Sequence, residues 1–139
     1  MNFKSLDYFF NNIFKNYKFV TDLLLRFAVG VAFSIHGMNK FPLPPQDLID
    51  YFGFNKYLAS FVAICELFAG VLIIASGFKK TMIGNLLTRL SALIIVIIMI
   101  FAFYLAHGDW FINSKLFTSE QMFLFVIGVY FLINGNSRI

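Results

Sequence analysis

Three ionisable residues sit inside long apolar stretches of this chain: Arg26, Glu66 and Arg89. Each costs at least about 2.5–3.5 kcal/mol at the centre of a membrane helix unless it is paired or solvated, so such groups mark either a packing lock or a functional site. Two histidines, His36 and His107, fall at the ends of two of these stretches, near Asn39, Lys40, Asp109 and Trp110. Histidine titrates near neutral pH, so this pair could exchange a proton with a quinol head group, hold a haem or contribute to a metal site. Two ligands without a third histidine argue against metal, and interfacial polar residues that need no ligand are the commoner case. The reading therefore places no metal, disfavours haem and names no cofactor, with a quinone as one molecule such a pair could serve. The single cysteine, Cys65, precludes an intramolecular disulfide and a paired-cysteine redox centre. A disulfide-relay enzyme is thereby excluded. In apolar surroundings Cys65 reads as a small packing residue. No phosphate loop, zinc-ligand spacing or nucleophile elbow is present.

The elements that hold these residues are four apolar runs: residues 19–37, 57–77, 86–106 and 117–133. Each approaches or exceeds the roughly 20 residues that cross a bilayer core of about 30 Å. Hydrophobic residues make up 60% of the chain and charged ones 13%, too little polar surface for a soluble domain of 139 residues. The expected fold is all-α, an integral membrane four-helix bundle with an N-terminal amphipathic interfacial helix. Two units follow, residues 1–18 and residues 19–139. In the first, Phe3, Leu6, Phe10, Ile13 and Tyr17 recur at spacings of three and four and share one helical face, which favours the interfacial helix over the alternative of a short disordered basic tail. The first apolar run is too long for a signal h-region and lacks a small-residue cleavage site, so it is read as a retained helix. Pro42, Pro44 and Pro45 end the first span, and residues 46–54 form a short re-entrant or interfacial turn. Asn134-Gly135-Asn136 reads as a cap and stop for the fourth helix.

Basic residues set the orientation. Lys4, Lys15, Lys18, Lys79, Lys80 and Arg138 lie on one side, with Arg26 and Arg89 toward it, against Lys40, Lys56 and Lys115 on the other. Both termini are then cytoplasmic. The net charge of +4 speaks to orientation and lipid contact, not to nucleic acid. Helical rise places Arg26 roughly 9 Å above the inner edge and Glu66 roughly 14 Å below the outer one. Those depths differ by only about 7 Å in a 30 Å core, so an Arg26–Glu66 pair is expected. Arg89 falls at the level of Asp22, to pair there or snorkel. Gly30, Gly37, Gly70, Gly77, Gly84 and Gly128 allow close helix approach.

Leu25-Arg26-Phe27-Ala28-Val29-Gly30-Val31-Ala32-Phe33, followed by Ile35-His36-Gly37-Met38-Asn39-Lys40, resembles the first helix of DoxX-like membrane proteins. Glu66-Leu67-Phe68-Ala69-Gly70 resembles their second helix. Leu86-Leu87-Thr88-Arg89-Leu90-Ser91-Ala92-Leu93, with His107 at the end, resembles their third. The resemblance covers about residues 20–135. It implies a four-helix bacterial inner-membrane protein of the DoxX/DoxD type, some of whose relatives are linked with quinone-dependent oxidation of sulfur compounds or with membrane oxidoreductase complexes. The positions that follow its pattern are Arg26, His36, Lys40, Glu66, Arg89 and His107. Three roles are weighed. The first is an accessory, not independently catalytic, subunit of a quinone-linked oxidoreductase system. The second is a structural or assembly subunit without chemistry. The third and weakest is an oligomeric transporter of small solutes. The expected partners are the lipid bilayer and other membrane subunits or further copies of the chain.

Overall fold

The computed structural model describes residues 2–79, 81–109 and 114–136. Trp110, Lys80 and Arg138, which entered the interface and orientation arguments, lie outside them. Every regular element among the described residues is helical. Helix α1 is Phe3–Phe14, and a single 3-10 turn, Lys15–Tyr17, joins it to α2, Lys18–Met38. Helix α3 is Gln46–Phe52, α4 is Lys56–Gly77, α5 is Met82–Ala106, α6 is Lys115–Thr118 and α7 is Glu120–Asn134.

Three helices are long and apolar enough to cross a membrane: α2 (continuous with α1 over Phe3–Met38), α4 and α5. The fourth apolar run, 117–133, belongs to α7 only from Glu120 onward. Ser119 adopts an extended conformation (φ −88°, ψ 146°), separates α6 from α7, and accepts a hydrogen bond from Met122 N as the α7 N-cap. Residues 117–119 therefore do not belong to α7. Its 15 residues reach roughly 22 Å, short of a 30 Å core. Helix α5 begins four residues before the expected position 86, because Thr81 caps it by accepting from Gly84 N at 3.1 Å. The proline segment ends α2 as its missing donors require. Gly53, at φ 65°, then closes α3 in the left-handed region, where a side chain is disfavoured. Gly135 (φ 62°) ends α7, its N–H bonded to Phe131 O at 2.8 Å.

The helices pack as a ring: α2 on α4, α4 on α5, α5 on α7, and a lighter contact from α7 back to α2. Val29, Phe33, Ile73, Ile95, Met99 and Phe131 form the centre of the core. The outside is equally apolar: Leu24, Phe68, Val71, Leu86, Ile100 and Val126 are all exposed. That is the surface lipid requires, and it removes hydrophobic burial as the force between helices. Close packing and interhelical hydrogen bonds take its place.

Glycine sets the α2–α4 approach. A Cβ on Gly70 would lie 2.6 Å from Gly30 O and Ser34 N, and one on Gly37 would lie 2.5 Å from Leu67 N. Those neighbours are backbone and cannot step aside. Gly37→Ala is therefore expected to wedge α2 from α4 and lower stability by about 1–3 kcal/mol, read as an earlier thermal unfolding midpoint in detergent.

Candidate functional site

Close α2–α4 packing brings Lys40, just beyond the end of α2, onto Glu66 in the middle of α4. Lys40 Nζ donates to Glu66 Oε2 in a direct ion pair. The Glu66 side chain is 7% exposed and that of Lys40 22% exposed. The expected Arg26–Glu66 pair does not form. The helix register explains why. Gly37 faces Leu67 and Gly77 faces Arg26, so Glu66 is level with Gly37, roughly 16 Å along α2 from Arg26.

The Lys40–Glu66 pair forms the polar end of a cleft of about 730 Å³ between α4 and α5. Val62, Cys65, Ile94, Ile98 and Phe101 are among its walls, and Leu48 and Phe52 of α3 line it together with Phe54. The volume is that of a small-molecule pocket, and the composition is the usual one: apolar walls with a few convergent polar groups. One ammonium donor and one carboxylate acceptor stand side by side there. Phe61, Ile97 and Phe101 are also exposed on the outer surface, so the cleft opens onto the lipid-facing side of the bundle.

Arg26 does something different. It is completely buried and binds every helix of the ring. Its Nε donates to Asp22 Oδ2 at 2.9 Å. Its Nη1 donates to Ile73 O and Thr88 Oγ1 at 3.0 Å and to Ser76 Oγ at 3.3 Å. Its Nη2 reaches Gly135 O at 3.5 Å, and the guanidinium lies 4.5 Å from the centre of the Phe131 ring. The planar fork suits this many-sided role, which an ammonium could not fill. Gly77 makes room, since a Cβ there would lie 2.6 Å from Arg26 Cδ. Around this hub Asn136 N donates to Asn85 Oδ1 at 2.8 Å, and Asn136 Nδ2 donates to Lys79 O at 2.9 Å. The end of α7 is thereby latched to α4 and α5.

The DoxX family model matches residues 21–108, more than half of the chain. The chain belongs to the DoxX family. No curated protein and no solved structure matches it. The matched region of this DoxX protein contains Arg26, His36, Lys40, Glu66, Arg89 and His107, while α1 and α7 lie outside it.

The other candidates fall around these two centres. His36 Nε2 lies 3.6 Å from Glu120 Oε1, both side chains about half exposed, which ties the end of α2 to the start of α7. His107 is half-buried directly after α5. Among the described residues no group of three or more His, Cys, Asp or Glu is placed to hold a metal. Arg89 neither pairs with Asp22 nor snorkels: its Nη1 donates to Leu132 O at 2.7 Å, satisfying a carbonyl in the last turn of α7. Asp22 Oδ2 is taken by Arg26 instead.

Sequence reasoning missed the cleft and the partner of Glu66. The signal for the second was present: a lysine just past a helix whose Gly37 lets it lie against α4. Cys65 was read as packing, whereas its half-buried side chain is one of the cleft walls.

Proposed function

We propose that this DoxX-family protein is an accessory subunit of a quinone-linked oxidoreductase system in the bacterial inner membrane, with both termini cytoplasmic, and that the α4–α5 cleft receives the quinone-class molecule from the bilayer. The observation behind this reading is the Lys40–Glu66 pair at the polar end of a lipid-open apolar cleft. The residues fit such a molecule. Lys40 can donate to a ring carbonyl, Glu66 can accept from a ring hydroxyl, and a long apolar tail can lie against Ile94, Ile98 and Phe101. A quinone, when bound, supplies a carrier of two electrons and two protons; the chain's own residues orient its head and exclude water. A phospholipid suits the site less well, because its phosphate would meet the Glu66 carboxylate. The sole cysteine leaves no disulfide couple to do the chemistry, which accords with an accessory role.

Cys65 offers a direct test, as the only thiol in the chain and a wall of the cleft. A short-chain quinone analogue is expected to slow maleimide labelling of Cys65 severalfold in the purified protein. Ile98→Trp, which fills the cleft, is expected to abolish that protection while leaving the protein folded. Labelling that ignores the analogue in the native protein would refute the cleft as its site.

A second reading, a structural or assembly subunit, draws on the Arg26 hub, which joins all four helices of the ring. Under it, Glu66→Gln would impair assembly but leave any assembled complex active. Under the first reading, Glu66→Gln lowers electron transfer at normal protein abundance.

A further inference from the structure

Helix α1 buries no residue, and apart from half-buried Leu6 every described side chain in it is exposed. It is joined to α2 through the 3-10 turn, Lys15–Tyr17. There Asn11, Phe14, Lys15, Tyr17, Lys18 and Thr21 line a surface concavity. Their spacing of three and four residues makes a polar stripe of Asn11, Lys15, Lys18 and Thr21, with Phe14 and Tyr17 beside it. The stripe crosses the point where an amphipathic helix becomes an apolar span. The 3-10 turn breaks the regular helix there, and the concavity lies at that break.

The two cations have no protein partner among the described residues. Asn11 Nδ2 is bonded to Asp7 Oδ2 at 3.2 Å, and Thr21 Oγ1 to Tyr17 O at 3.3 Å. Neither the Lys15 nor the Lys18 side chain makes a hydrogen bond or ion pair among the described residues. Next to them stand aromatic rings in mutual contact: Phe10 and Phe14 are stacked at 6.2 Å, with Phe9 edge-on to Phe10 at 5.8 Å. Two lysine ammonium groups without a protein partner among the described residues, sharing a concavity with exposed Phe14 and Tyr17 at the start of an apolar helix, match one kind of molecule: an anion with apolar chains attached.

We infer that the α1–α2 joint is a binding site for the headgroup of an anionic phospholipid, its phosphate held between Lys15 and Lys18 and its acyl chains running past Phe14 and Tyr17. This site is separate from the quinone cleft and does not depend on it. Bound lipid would seat α1 in the interface and fix the direction in which α2 leaves it.

The test is native mass spectrometry of the full-length protein in detergent with phosphatidylglycerol and phosphatidylcholine of identical acyl chains in competition. The native protein is expected to retain phosphatidylglycerol preferentially. Lys15→Gln and Lys18→Gln should each reduce that preference about fivefold, equivalent to about 1 kcal/mol per lysine. Lys15→Arg and Lys18→Arg should keep it, and Lys56→Gln, at the start of α4, should leave it unchanged. Lys15 and Lys18 are exposed, so unchanged thermal midpoints are expected for all these variants. Three results would overturn the site: no loss in the Lys15 and Lys18 glutamine variants, an equal loss in Lys56→Gln, or displacement of phosphatidylglycerol by inorganic phosphate.

Discussion

Arg26→Met is expected to destabilise the protein by about 3–5 kcal/mol, the cost of removing one partner from a buried charge pair. The variant strands the Asp22 carboxylate, whose other oxygen, Oδ1, already lacks a hydrogen-bond partner among the described residues. It also takes the guanidinium donor from the Gly135 carbonyl and one of two side-chain donors from the Ile73 carbonyl, which keeps Ser76 Oγ at 3.2 Å, while Ser76 and Thr88 stay bonded to each other at 2.8 Å. Arg26→Lys should recover only a part, because an ammonium can satisfy Asp22 but cannot also span α4, α5 and the end of α7. Arg26→Met with Asp22→Asn should recover another part by removing the stranded charge. Thermal unfolding of detergent-purified protein checks the order: native, then the lysine variant and the double variant, then Arg26→Met. An unchanged midpoint in Arg26→Met would show that the hub holds nothing together.

At the Lys40–Glu66 pair the two single substitutions should differ in kind. Lys40→Met leaves a carboxylate buried among apolar walls and is expected to cost about 2–3 kcal/mol. Glu66→Gln leaves the more exposed Lys40, whose long side chain can turn toward water, and should cost about 1 kcal/mol. The double variant Lys40→Met with Glu66→Leu should return close to native stability, since a buried pair is often replaced by apolar residues without loss. Function should not return with it. Protection of Cys65 by a quinone analogue, compared with and without the analogue in each variant, is expected to be lost in the double variant although it is stable. Retained protection there would make the pair a packing device and shift the weight to the structural reading. Stability and ligand protection thus separate two roles that a single substitution confounds.

The sequence by itself determined the class of the molecule and most of its helices. Long apolar runs between prolines, glycines and lysines leave little choice once the backbone must satisfy its own hydrogen bonds in lipid. The family pattern across Arg26, Glu66 and Arg89 was equally legible, because ionisable residues in such runs stand out. Helix ends were legible where a cap residue announced them, as at Gly135. One was missed at Thr81, which caps α5 four residues ahead of the apolar run at 86, because Gly84 and Asn85 dilute the apolar pattern and composition alone cannot see the backbone turn.

Who pairs with whom was decided only by the tertiary structure. Depth arithmetic put Arg26 and Glu66 within reach because it measured each helix from its own apolar edge. The actual register is fixed by Gly37 against Leu67 and Gly30 against Gly70, contacts that slide α4 until Glu66 meets Lys40 and Arg26 meets Ser76. A shift of a few residues between antiparallel helices changes every partner without changing any helix. The cleft likewise is walled jointly by residues of α3, α4 and α5, a shape that arises between elements and is written in none of them.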